Sequence, residues 1–137
     1  HNSYVAQVLD VEMDENNMPQ VKKVYCAVDC GILVHPEGAK NQIEGGIVDG
    51  IGHALYSAMT FKEGRPDQNN FHQYRLIRNT EAPDAIEVFF VNNGIDPTGL
   101  GEPSLPPIGA ALANAIYQAT KKRLYSQPYM MQEALLG

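Results

Sequence analysis

Tryptophan is missing from the 137 residues, and cysteine occurs only twice. The two thiols, Cys26 and Cys30, stand four apart in a segment that reads as extended. Their Cα atoms would then lie about 13 Å apart at roughly 3.3 Å per residue, which excludes a disulfide without a sharp turn. A two-cysteine zinc site would need partners, and His1, His35, His53 and His72 show no ligand-like spacing. No protein metal ligands are expected, and both thiols are expected to be free and buried. Positive charge is also scarce: 10 Lys and Arg against 16 Asp and Glu give a net charge of -6 and a pI of about 5.1. That balance argues against nucleic acid or an anionic membrane as partner. Every apolar run is broken early by glycine or charge, so none is long enough to cross a membrane as a helix. Repeats, low-complexity stretches and internal linkers are absent as well. With 44% hydrophobic residues there is material for one core, and a single domain over residues 1–137 is expected. No secretory signal is visible. Because residue 1 is His rather than Met, the chain reads as a piece of something longer.

What is present is strongly patterned. Ser3 to Glu12 alternates around Tyr4, Ala6 and Val8, and Val21 to Val28 alternates again through Val24 and Cys26. Between them Asp14-Glu15-Asn16-Asn17-Met18-Pro19 is turn chemistry, so an antiparallel hairpin is expected. Helix signals begin at His35-Pro36-Glu37 and run to about Met59. Ile43, Ile47, Ile51 and Leu55 form one apolar stripe, yet the segment also holds Gly38, Gly45, Gly46, Gly50 and Gly52. Each interior glycine weakens a helix by roughly 1 kcal/mol relative to alanine, so five of them need a reason. Tight packing against a neighbouring element is one. A groove along Gly46 and Gly50 for a bulky ligand is another. Further on, Thr60 to Lys62, Phe71 to Tyr74 and Ile86 to Val91 read as strands. The order of elements predicts an α+β fold, an antiparallel sheet with two main helices near residues 36–58 and 105–122.

The second helix is preceded by Gly99-Leu100-Gly101-Glu102-Pro103-Ser104-Leu105-Pro106-Pro107. Pro103 biases Glu102 away from the helical region, and the flanking glycines let a large ligand approach the backbone. Ser104 is a candidate cap for the helix, with proline in its first turn. Ile108, Ala111, Leu112, Ala115, Ile116 and Ala119 then give a clean buried stripe. Glu102 is thus a carboxylate on a stiff loop at a helix entrance. Taken alone, the motif fits a solvent-facing loop acid as well as a catalytic one.

Three separated motifs carry a resemblance. Val28-Asp29-Cys30-Gly31 with His35-Pro36, then Gln42-Ile43-Glu44-Gly45-Gly46, then Gly99-Leu100-Gly101-Glu102-Pro103, are similar to those of the molybdenum hydroxylases, the xanthine oxidase and aldehyde oxidase family. The closest flavour is the large subunit of the isoquinoline 1-oxidoreductases, their beta chain, together with its bacterial aldehyde dehydrogenase relatives. The match falls in the C-terminal part of their molybdopterin-binding region. The resemblance implies a molybdopterin cofactor, expected as the cytosine dinucleotide, with molybdenum held by the cofactor rather than by protein ligands. It implies that Glu102 is the general base, that Gln42 lies by the cofactor, and that Gly45, Gly46 and Gly101 make room for it. Implied partners are the rest of the large subunit, an iron–sulfur or haem electron-transfer subunit, and a small aldehyde or N-heterocycle; nucleic acid is not among them. The 137-residue chain alone is expected to lack cofactor and activity. A different class of reading is a stand-alone folded fragment with a packing role. Some relatives carry a second proline where this chain has Ser104, a departure outside the acid itself.

Overall fold

The opening alternation becomes a long hairpin in the computed structural model, which describes residues 2–132. Strand β1 (Tyr4–Met13) pairs antiparallel with β2 (Pro19–Asp29), with a bulge at Asp10/Val11. The turn between them is closed by Asp14, whose carboxylate accepts from the Asn16 and Met18 amides at 2.8 Å each. Asn17 takes the left-handed conformation there, at φ 58°, a region that asparagine tolerates better than most residues.

Helix α1 (Pro36–Leu55) starts where His35-Pro36 predicts, with His35 Nδ1 accepting from the Gly38 amide at 2.7 Å. The helix ends at Leu55, a turn short of Met59, because the Tyr56 and Ser57 amides both close on the Gly52 carbonyl. A two-residue hairpin follows, β3 (Phe61–Lys62) with β4 (Arg65–Pro66). Phe71 to Tyr74, expected as a strand, is instead a single 3-10 turn at Phe71–Gln73, since the Asn70 side chain accepts from the Phe71 amide and starts a turn. Strand β5 (Ala85–Phe90) then returns to the sheet, and α2 (Pro106–Thr120) closes the fold.

The α+β architecture with two helices is the one expected, but the sheet is mixed rather than wholly antiparallel. Its order is β1-β2-β5, and β5 runs parallel to β2, Lys23 opposite Ala85 through Val28 opposite Phe90. The long crossover containing α1 brings the chain back to the end of the sheet where β2 began, which a parallel neighbour requires.

Both helices cover the same sheet face. Val24, Cys26 and Val28 meet Ile43, Ile47, Ile51 and Leu55 of α1 and Ile108, Leu112 and Ile116 of α2 in a fully buried core. Cys26 and Cys30 are free and buried, as expected. The glycines of α1 mostly serve packing. A Cβ on Gly50 would stand 3.0 Å from Ile108 Cβ, one on Gly52 3.0 Å from Ile77 Cγ2, and one on Gly46 would collide with Ser104 Oγ.

Candidate functional site

The segment from Val91 to Leu105 carries no regular structure, yet it is tied down along its length. At its start the Val91 amide continues the sheet to the Val28 carbonyl at 2.8 Å, and Asn93 Nδ2 donates to both oxygens of Asp29 at 2.7 and 2.8 Å. Gly31, at φ +72°, lets the chain after β2 press against the carbonyls of Ile95 and Asp96. The Ile32 amide binds the Ile95 carbonyl at 3.0 Å, and the Thr98 amide binds that of Cys30 at 2.9 Å. The Asp29-Cys30-Gly31 motif is therefore a strap for this loop. Burial first, and the Asp29 charge second, push the Cys30 thiol above its ordinary value, which disfavours the thiolate.

Three side chains from elsewhere then hold successive carbonyls. Ser3 donates to Gly99 and pairs with the Thr98 hydroxyl at 2.7 Å. Gln42, in the second turn of α1, donates to the Gly101 carbonyl at 2.5 Å. Gln7, from β1, donates to the Ser104 carbonyl at 2.7 Å. The Leu105 amide closes on the Glu102 carbonyl at 3.0 Å, making a tight turn immediately before α2. Glu102 is held between these anchors. Its side chain is exposed, forms no ion pair among the described residues, and borders a cleft of about 400 Å³ with Gly99, Gly101 and Pro106.

Gly101 borders a second, adjoining cleft of about 530 Å³, walled by Leu33, His35, Gln42 and Leu100. Gln42 and the Glu102 loop, far apart in sequence, thus meet at one place. Space is open around the Cα of Gly101, with nothing within 4 Å of a would-be Cβ. Gly46 lies behind the loop rather than in either cleft, its surface filled by Ser104. Gly45 is open, but it faces another cleft, of about 620 Å³, with Asn41, Val48, Ile77 and Asp84. Ser104 does not cap α2, since Leu105 stands at that position and makes no side-chain cap. It is instead 1% exposed, its hydroxyl without a hydrogen-bond partner and turned towards Gly46.

Gln7 was not legible as a site residue from pattern alone, though it left a trace. Val5, Gln7, Leu9 and Val11 share the inward phase of β1, and an amide in that row breaks the apolar series. Such a break marks a buried polar group that needs a partner. Its own Oε1 has none, and its amide also approaches Cys26 Sγ at 3.7 Å. Among the described residues, no group of three or more His, Cys, Asp or Glu is placed to hold a metal ion. Among the described residues, no helix is long and apolar enough to cross a membrane.

The chain is similar to the beta chain of isoquinoline 1-oxidoreductase from Brevundimonas diminuta, 35% identical over 128 residues, covering 93% of this chain and 16% of that protein. It is 31% identical over 123 residues to the large subunit of nicotine 6-hydroxylase from Paenarthrobacter nicotinovorans, covering 81% of this chain and 14% of that one. Among solved structures, the aldehyde oxidoreductase of Desulfovibrio gigas superposes with a TM-score of 0.83 at 26% identity, over 98% of this chain and 15% of that chain. The enzyme of Desulfovibrio desulfuricans gives a TM-score of 0.84 over the same share at 24% identity, a likeness of fold. The chain therefore spans about a sixth or less of the length of these relatives. The molybdopterin cofactor-binding domain model matches residues 1–83, more than half the chain, and it ends before β5 and the Glu102 loop. The structural matches leave almost nothing uncovered and so extend through both. The chain belongs to the molybdopterin cofactor-binding domain family of molybdenum-dependent oxidoreductases.

Proposed function

We propose that these residues form the part of a molybdenum hydroxylase that presents the general base, Glu102, to a substrate beside the cofactor. The observation that carries this reading is the bond from Gln42 to the Gly101 carbonyl, because it joins the two motifs a cofactor site would need at one point. The residues fit a bulky group. Gly101 leaves its cleft open where any side chain would intrude, and Gln42 keeps its Oε1 and second N–H for polar edges of a pterin. Gln42 and Gly101 would border the molybdopterin, with Gly45 and Gly46 contributing through the shape of α1. When bound, the cofactor supplies a redox-active molybdenum centre that takes two electrons from the substrate.

The chain's own task is proton transfer and alignment. Glu102 is an exposed carboxylate without a cation partner among the described residues, so an oxygen is available to accept a proton. The anchors on Gly99, Gly101 and Ser104 hold its backbone still, which limits the reorganisation needed during the transfer. Substrate is an aldehyde or the C–H beside nitrogen in an N-heterocycle. The remaining walls come from the rest of the large subunit, with electrons leaving through an iron–sulfur or haem partner.

The test is Glu102→Gln in the intact large chain. Size and hydrogen bonding are retained while the basic group is lost, so turnover falls by about 10²–10⁴-fold, the usual worth of general base catalysis. Molybdenum and pterin content stay at the parent level. A loaded Glu102→Gln enzyme turning over at the parent rate sinks the assignment.

A further inference from the structure

We infer that the outer face of the β1-β2-β5 sheet is a docking surface for the remainder of the molybdopterin-binding subunit, an inference that rests on the proposed function above. Both helices lie on the other face, so among the described residues nothing covers this one. Along β1 the outward residues are Tyr4, Ala6 and Val8; along β2 they are Tyr25 and Ala27; on β5, Phe89. Tyr4 is 72% exposed, Val8 67% and Phe89 54%. They form one patch: Val8 stands opposite Tyr25, and Ala6, Ala27 and Phe89 make a continuous row across all three strands. The two alanines floor a shallow trough between larger side chains, a shape that admits a ridge from another layer. Charge stands at the two ends: at one, Lys23 pairs with Glu87 at 2.5 Å and lies over the Tyr25 ring, with Asp10 beside them, and at the other Asp29 stands opposite Tyr4. An apolar centre with a charged border is the anatomy of an interface.

The edges lead to the same conclusion. β1 and β5 are both outermost, and β1 presents ten residues of one-sided backbone. A long bare edge beside an apolar face invites association unless it is covered. The occupant follows from length. In the relatives and the aldehyde oxidoreductase structures, a segment matching nearly all of this chain is embedded in a polypeptide roughly six times longer. That remainder is continuous with the matching segment in each of these proteins, which makes it the nearest source of the missing layer.

The experiment compares two samples: the 137-residue chain alone, and the same chain associated with the polypeptide carrying the rest of the large chain. Ala27→Cys and Ala6→Cys are labelled with a maleimide, the native Cys26 and Cys30 serving as buried internal blanks. In the isolated chain both new thiols label freely. On association their rates drop by at least about tenfold, since the core of an interface excludes water. Ala27→Asp abolishes association while the chain's own thermal melting stays at the parent value, because the side chain points away from the core. Equal labelling in both samples overturns the inference, as does Ala27→Asp associating normally or a parent chain that does not associate. Protection in the isolated chain, with a dimer mass by sedimentation, overturns it in favour of a second copy. A complex with the face protected but no molybdenum or pterin leaves the docking surface standing and removes the functional reading instead.

Discussion

Gly45 and Gly46 are neighbours on α1 with the same helix propensity, and replacing each by alanine should move stability in opposite directions. Helix propensity alone favours alanine by about 0.8–1.0 kcal/mol at either position. At Gly45 nothing lies within 4 Å of the new methyl, so Gly45→Ala gains about that amount. At Gly46 the methyl lands on Ser104 Oγ, while Ser104 Cβ and the Leu105 amide nitrogen, at 3.6 and 3.7 Å, are in ordinary contact. Ser104 is 1% exposed, so relief comes only by rotating its hydroxyl within a packed interior or by shifting the loop that carries Glu102. Overpacking of this kind costs about 1–3 kcal/mol, which leaves Gly46→Ala neutral to about 2 kcal/mol destabilised after the propensity gain. The obstacle is one atom, and Ser104→Ala removes it. In that background Gly46→Ala should become stabilising by about 1 kcal/mol, a coupling of about 1–3 kcal/mol between the two sites. Urea unfolding of the four variants measures the cycle, read as shifts in midpoint at constant slope. Gly46→Ala stabilising as much as Gly45→Ala, or the two changes adding without coupling, would refute the view that Gly46 is small in order to seat Ser104.

Gln7→Leu removes the donor to the Ser104 carbonyl and leaves that oxygen unpaired, destabilising the chain by about 1–3 kcal/mol; amide exchange should quicken over residues 99–105 and not in β2. Gln42→Ala in the intact large chain should lower both turnover and molybdenum content, whereas Glu102→Gln lowers turnover only; metal analysis beside the rate separates them. The 137-residue chain purified alone should contain no stoichiometric molybdenum, since both clefts are open to solvent and, in the proposed reading, their remaining walls come from the rest of the large chain. For Glu81, burial works against ionisation, but Arg75, the Arg78 amide and Tyr56 outweigh it and hold the carboxyl below its ordinary value. The depressed folded value means its stabilisation is present above the unfolded value of about 4.3 and is lost as pH falls through the folded one. Melting temperatures of the parent and Glu81→Gln should therefore differ at pH 7 and converge towards pH 3.

The hairpin, both helices and the two buried thiols could be read from the sequence because each rests on local signals: alternation, capping residues, a stripe of isoleucines. The parallel partner of β2 could not. Nothing in Ala85 to Phe90 says which neighbour it takes, and the crossover that decides it depends on how α1 packs. The glycines divide the same way. A glycine count shows only that something approaches the helix closely. That Gly46, Gly50 and Gly52 meet Ser104, Ile108 and Ile77, while Gly45 meets nothing, is a property of the assembled helices. Ser104 illustrates the risk of local rules. Its position before two prolines is good capping chemistry, but the tight turn from Glu102 to Leu105 carries it inward instead. The convergence of Gln42 with Gly101 was legible only through the order of the three motifs, whereas Gln7 and Ser3 carry no motif at all.

Those two unmarked residues bear on how the work is divided within the large chain. Ser3, Gln42 and Gln7 all donate to carbonyls of the loop, at Gly99, Gly101 and Ser104, and the Leu105 amide takes the carbonyl of Glu102. These four acceptors of the loop are thus satisfied within this domain. Four anchors of the loop's position therefore come from this domain itself. In the proposed reading the base is pre-positioned on a rigid two-layer unit, and the cofactor is enclosed by the layers that dock against it. Such an arrangement separates two failures. Changes at Gln7 or Ser104 act through the geometry of Glu102 and should lower the rate of a loaded enzyme. Changes on the Ala6–Ala27–Phe89 row act through docking and should lower the fraction loaded, leaving the rate per bound molybdenum unaltered.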